Sequence, residues 1–170
     1  MQSIRRIIGL KVKTNQTQRA IGQVAESIID PDTGKVIAFA LKTWRRNKWL
    51  TLIDVLDFGA RELIIGSENK LLPLDDLPRV KKIKESKLVV LNAQAITESG
   101  RYLGKVSDLV FDEHSGEILR YYIARPFILS PLKAFLILDR KEISRVERKG
   151  VIVKDPEEKV PAQALPPLKP

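Results

Sequence analysis

Two indoles and three cations occupy six consecutive positions, Trp44-Arg45-Arg46-Asn47-Lys48-Trp49. Arginine and lysine neutralise phosphates, and an indole stacks on a base or a guanidinium, so this stretch has the chemistry of a nucleic-acid or anionic contact. The competing reading is structural: a half-buried strand commonly holds an aromatic residue, and the charges then keep a hairpin tip in water. A second basic run, Lys81, Lys82, Lys84 and Lys87 with Glu85 alone against it, suits RNA or anionic lipid, or forms a solvated helix face. The third candidate is apolar. Residues 125–135 include Phe127, Ile128, Leu129 and Leu132, a greasy sequence for a connection, and exposed apolar patches mark protein-partner sites. The alternative is that this loop covers the other half of the chain.

Other residues with chemical potential lack companions. His114 is the single histidine and sits in a turn sequence; a triad needs a nucleophile and an orienting acid around it, and a metal site needs several convergent ligands. Asp30-Pro31-Asp32-Thr33-Gly34 resembles the start of a calcium loop, but the twelfth position is Leu41 instead of the required glutamate, so a turn is expected. Gly100-Arg101-Tyr102-Leu103-Gly104 lacks the Gly-Lys-Ser/Thr ending of a phosphate loop. The absence of cysteine excludes disulfides, thiolate metal sites and cysteine nucleophiles. No catalytic residue, cofactor or metal is expected, and the chain reads as a binding protein, not an enzyme.

These candidates must be positioned by a modest scaffold. The chain has 170 residues, of which 44% are hydrophobic, enough for one large or two small domains. Its formal charge of +9 is spread thinly, with its densest spot at residues 81–87, and could attract RNA, anionic lipid or an acidic protein. No apolar run approaches the ~20 residues of a membrane-spanning helix, and no signal peptide is read at the N-terminus. A cytoplasmic location, peripheral to a membrane at most, is expected.

The chain is organised by a repeat. Residues 14–42 align without a gap on residues 96–124, a shift of 82: Arg19, Gly22, Val24, Asp30 and Gly34 face Arg101, Gly104, Val106, Asp112 and Gly116. A later block, 54–65, aligns on 142–153 at a shift of 88, so the second copy has a longer loop between its blocks. In each copy a β-rich run ends in an Asp-to-Gly turn and returns as a second strand, the pattern of a hairpin. Further short strands are expected at 49–53, 63–65, 134–138 and 151–153, with Asp54 and Glu142 opening single helical turns. Five or six short strands in about 70 residues are best satisfied by a sheet that closes on itself. Each copy is therefore expected to enclose its own core. Between them, Asp75-Asp76-Leu77-Pro78 reads as a helix start, and Leu77, Val80 and Ile83 give a short amphipathic helix with its lysines in water. Five prolines after Asp155 make an extended, disordered tail the expectation.

The motifs Gly9-x-x-Val12, Gly22-x-Val24, Asp30-x-x-Thr33-Gly34 and Asp54-Val55, echoed by Gly104-x-Val106, Asp112 to Gly116 and Glu142-Ile143, resemble the PRC-barrel family. The resemblance implies an all-β chain of two small tandem barrels: domain 1 at 1–73, a basic helical linker at 74–87, domain 2 at 88–155 and a Pro-rich tail at 156–170. The family is similar to domains of the photosynthetic reaction-centre H subunit and of a ribosome-maturation protein. It implies binding within assemblies: a protein-binding adaptor or assembly factor first, an RNA- or ribosome-associated factor second, a peripheral membrane or photosynthetic-complex assembly protein third. Oligomeric state is left open.

Overall fold

Short runs of branched and aromatic residues, punctuated by Gly, Asp and Pro, become strands wherever their apolar positions can be buried. The computed structural model describes residues 1–17, 19–44, 46–126 and 135–155. The elements in chain order are β1 (Gln2–Ser3), α1 (Ile4–Ile7), β2 (Lys11–Thr14), β3 (Ala20–Asp30), β4 (Lys35–Lys42), β5 (Lys48–Thr51), β6 (Val55–Phe58), β7 (Glu62–Ile65), α2 (Pro78–Glu85), β8 (Gln94–Thr97), β9 (Tyr102–Phe111), β10 (Ile118–Ala124), β11 (Phe135–Asp139), β12 (Ile143–Glu147) and β13 (Gly150–Val153). Among the described residues no helix is long and apolar enough to cross a membrane.

The strands form two sheets with the same plan. The first has the order β5-β4-β3-β2-β7-β6, the second β11-β10-β9-β8-β13-β12. In each, one pair is parallel, β2 with β7 and β8 with β13. The outermost strands of each sheet are consecutive in the chain. They are joined by a single 3-10 turn, Leu52–Asp54 or Arg140–Glu142, so both sheets curl until their ends approach. Asp54 and Glu142 close these turns; they do not open them as the sequence suggested. Thr51 Oγ1 donates to Asp54 Oδ2 at 2.6 Å, and the Asp139 N–H donates to Glu142 Oε2 at 2.7 Å, matched hydrogen bonds at matched positions.

The expected hairpins form. Asp30 O accepts from Gly34 N and Asp112 O from Gly116 N, both at 2.8 Å, while each aspartate side chain accepts from backbone N–H groups inside its own turn. The two turns also meet. Val36 N donates to Gly116 O at 2.8 Å and Ile118 N donates to Gly34 O at 3.2 Å, flanking an antiparallel bridge between Lys35 and Glu117. Lys35 faces the residue related to it by the shift of 82, and that shift carries the Val36–Gly116 bond onto the Ile118–Gly34 bond, so the two halves meet across a local pseudo-twofold axis.

Two separate interiors were expected, and the buried residues instead form one continuous cluster drawn from both sheets, from Ile4 and Val12 to Val151 and Val153. Phe39 meets Phe58 edge-on at 6.1 Å, and Phe58 meets Phe111 of the second sheet at 6.0 Å. The reason is size: a sheet of six short strands buries too small a fraction of its surface alone, and fusing two cores gives a better ratio. The N-terminus interlocks the halves further. β1 pairs with β9, Gln2 opposite Phe111, and Ser3 Oγ donates to Asp108 Oδ2 at 2.5 Å. The first residues thus belong by hydrogen bonding to the second sheet.

A smaller apolar cluster lies on the outer face of the first sheet. Val80 and Ile83 of α2 are buried on Ile28, Ala38, Ala40 and Trp49. This explains why β4 is apolar on both faces, with small alanines where the helix lies. Pro78 starts α2 without a side-chain cap, and Asp75 and Asp76 belong to the preceding 3-10 turn.

Candidate functional site

The connection from β4 to β5 carries the most exposed large apolar side chain of the described residues. Trp44 is 97% exposed, whereas Trp49, five positions on, is 7% exposed. The split follows from strand geometry. Trp49 lies opposite Ala40 in the β4–β5 pair, beneath α2, where a small partner leaves room for an indole. Trp44 lies beyond the last pair and has no facing strand. The turn around it is held locally: Thr43 Oγ1 accepts from Arg46 N at 3.4 Å and donates to the Arg46 carbonyl. Gly22 permits this turn to sit close to β3, since a Cβ there would lie 3.1 Å from Lys42 O and 3.3 Å from Thr43 Cγ2.

Trp44 borders a shallow groove of about 920 Å³ lined by Ile21, Thr43, Arg46, Lys48, Glu68, Asn69 and Leu71. Ile21 and Leu71 supply apolar floor, while Arg46 and Lys48 supply positive charge. Neither cation has an ion-pair partner among the described residues. Of the sequence candidates, the structure therefore brings Trp44, Arg46 and Lys48 together, and it withdraws Trp49 into the interior. Arg45 lies outside the described residues. Ile21, Glu68, Asn69 and Leu71 were not singled out from sequence; the last three follow β7 and reach the groove only through the fold.

The lysine run is largely committed to holding the helix. Lys81 Nζ is 2.6 Å from Asp75, and Lys84 Nζ is 2.7 Å from Glu26 and 5.9 Å above the Trp49 ring. The expectation that these lysines all face water fails for Lys84, because Glu26 on the outer face of β3 lies within its reach. Lys82 and Lys87 are exposed. Arg79, preceding them, grips Asp30 with two hydrogen bonds and reaches Asp32 at 2.6 Å. Burial alone would push the Asp30 carboxyl up. The Arg79 hydrogen bonds and charge, with the Asp32 and Thr33 backbone, outweigh it and hold that carboxyl below the usual range.

His114 is exposed in its hairpin turn, 3.9 Å from Glu113. Among the described residues no group of three His, Cys, Asp or Glu side chains could hold a metal. Phe127, Ile128, Leu129 and Leu132 lie outside the described residues. The strand that follows them is described, and it presents Phe135 and Ile137 outward, 58% and 54% exposed. Tyr121, at the place Phe39 holds in the first sheet, is fully buried, and burial pushes its hydroxyl up to about 12.

The model of one known family, the PRC-barrel domain, matches residues 89–160. A PRC-barrel domain is thus found at residues 89–160. No curated protein is similar enough to the chain to count as a match. The PRC-barrel domain thus comprises β8 to β13, with the PRC-barrel hairpin β9–β10 at the junction, while the Trp44 groove lies on the half that precedes it.

Proposed function

We propose that the chain is a non-catalytic binding module, two PRC-barrels in tandem, whose Trp44 groove takes an acidic, extended segment of a protein partner. The second barrel is the matched PRC-barrel domain. The identical strand order and the equivalent contacts across the junction support the same assignment for the first. The observation that carries the binding reading is the combination at one tip of a fully exposed indole, a locked backbone turn and two cations with no ion-pair partner among the described residues. An exposed tryptophan costs solubility unless something covers it, and tryptophan and arginine are the residues that most often dominate protein interfaces. Arg46 and Lys48 select an anionic partner, and the Ile21–Leu71 floor accepts an apolar side chain.

The test is capture of partners from native cells by the full-length chain and by Trp44→Ala. The substitution removes no buried contact, so the thermal midpoint stays unchanged while partner affinity falls at least about thirtyfold. Retention of the same partners at the same affinity would remove the groove from the account. A second reading, single-stranded RNA, is favoured by the same indole lying beside two cations. It predicts capture that nuclease abolishes and affinity for oligouridylate that falls steeply with salt. The protein reading predicts nuclease-resistant capture.

A further inference from the structure

The corner where β8 begins gathers positive charge that the fold does not need. Three pieces of chain converge there. The first leads from the end of α2 to β8 and carries Lys87. The second is the β8–β9 pair, where Gln94 lies opposite Lys105. The third is the turn from β12 to β13, Arg148-Lys149, whose Gly150 abuts β8 so closely that a Cβ there would lie 2.3 Å from Gln94 O. Lys87, Lys105, Arg148 and Lys149 line one open groove of about 700 Å³. All four are exposed, and none has an ion-pair partner among the described residues. Glu147, the acid next to the turn, is taken by Arg145. At the matching corner of the first half, Gln23 stands where Lys105 does and Ala60 where Arg148 does, and the cations there are Lys11 and Arg61. The same strand order forms without the extra charge.

The backbone that builds this corner is unusual as well. Among the described residues, Lys87 and Asn92 are the two non-glycine residues with positive φ, +55 and +64. Asn92 takes the place of Gly9: Gly9 N donates to Val24 O and Asn92 N to Val106 O, both at 2.8 Å. Asparagine is at home in that conformation, whereas lysine is not. Lys87 is held in it as the chain leaves α2, its N–H donating to Lys84 O at 3.1 Å, and strain of this kind collects at functional sites. Between the two, the chain brings apolar side chains to the cations. Val89 is 57% exposed, and Val89 and Leu91 line both the basic groove and an apolar crevice beside it, walled by Ile8, Ile28 and Ile83. Glu26, the acid on that crevice, is paired with Lys84. The crevice holds 70 Å³, only about twice the volume of one water in the liquid, too little to enclose an acyl chain.

We propose that this corner docks the protein on an anionic phospholipid bilayer, with Lys87, Lys105, Arg148 and Lys149 at the lipid phosphates and Val89 in the interfacial layer among them. Clustered lysines and arginines are attracted to an anionic leaflet, and an exposed aliphatic side chain beside them adds apolar burial. The lining favours a lipid surface over RNA, since the described residues that form it include no aromatic ring on which a base could stack. The size of the crevice favours a bilayer over a single lipid taken up whole. The inference does not depend on what the Trp44 groove binds, because the two grooves share no lining residue.

The test is flotation of the full-length chain with vesicles of phosphatidylserine and phosphatidylcholine in equal parts, and with vesicles of phosphatidylcholine alone. The chain floats with the first and stays behind with the second, and added salt releases it. Arg148→Gln with Lys149→Gln lowers the partition coefficient at least about tenfold, since each cation near an anionic surface is worth about fivefold. Lys11→Gln with Arg61→Gln removes the same net charge from the matching corner of the first half and lowers it less than about twofold. Val89→Ser lowers it about threefold. All five side chains are exposed, so the thermal midpoints of these variants stay unchanged. No flotation, equal flotation with both vesicles, equal losses for the two paired substitutions, or no loss with Val89→Ser would each overturn the proposal. Binding of oligouridylate that the Arg148 and Lys149 substitutions abolish, with anionic vesicles ignored, would overturn it and assign the corner to RNA. Trp44→Ala leaves flotation unchanged; loss of flotation in that variant would place the membrane contact at Trp44 instead.

Discussion

Phe111→Ala lowers the stability of the entire chain by roughly 4 kcal/mol. The ring is fully buried at the end of β9 and packs edge-on against Phe58, whose ring in turn meets Phe39. Truncation removes buried apolar area, leaves a cavity among side chains from both sheets, and breaks an aromatic pair worth about 1 kcal/mol beyond its burial. The loss is shared because the cluster is shared. Urea unfolding therefore shows an earlier midpoint by tryptophan emission, although the substitution is in the second half and both tryptophans, Trp44 and Trp49, are in the first. A variant in which tryptophan emission keeps its original midpoint would show that the sheets do not support one another.

Gly116→Ala is expected to cost about 3 kcal/mol, from positive-φ strain together with overpacking. Gly116 has φ +74, and a Cβ there would stand 2.4 Å from Val36 O and 2.7 Å from Leu52 Cδ2. The carbonyl belongs to the backbone of β4, whose N–H donates back to Gly116 O, so relief requires the junction between the halves to open. Gly34 provides the internal comparison. Its φ is similar, +66, but the three atoms nearest a Cβ there all belong to the Arg140 guanidinium, at the far end of a flexible side chain. Gly34→Ala should thus cost only the conformational strain, about 1–2 kcal/mol. Equal losses at the two positions, measured by urea unfolding, would contradict the packing described for the junction.

Much of the scaffold was legible because local chemistry dictates it. The Asp-to-Gly turns and the branched runs around them specify hairpins wherever they occur, and their recurrence at shifts of 82 and 88 anticipated two sheets of one plan. The difference between the halves was also written in β4 and β10: Val36-Ile37-Ala38-Phe39-Ala40-Leu41 is apolar on both faces, as a strand under a helix must be, whereas Ile118-Leu119-Arg120-Tyr121-Tyr122-Ile123 puts Arg120 and Tyr122 on the outside. The fused core was not legible. Alternation tells which face of a strand is buried, never which sheet buries it, so the Phe58–Phe111 contact had no local signature.

The site was half legible for the same reason. Trp44 and Trp49 have the same composition around them, and only the register of β5 against β4 separates a solvent-facing indole from one packed on Ala40. The lysine run looked free because its acids are remote in sequence: Glu26 lies 58 residues from Lys84, and Asp30 lies 49 residues from Arg79. The groove's far wall, Glu68 to Leu71, arrives by way of the segment whose Leu72 pairs with Trp49 of β5, an element with no motif of its own.

Everything proposed for this molecule requires two related sheets that stabilise each other through a common interior. The sequence supplies its own reporters, since both tryptophans lie in the first half and all three tyrosines, Tyr102, Tyr121 and Tyr122, in the second. Equilibrium urea unfolding followed by tryptophan emission and by tyrosine ring NMR signals reads the halves separately in the unsubstituted chain. Coincident transitions with one midpoint and one slope are predicted, the behaviour of a single cooperative unit. Two resolved transitions, with either half persisting after the other has unfolded, would contradict the account.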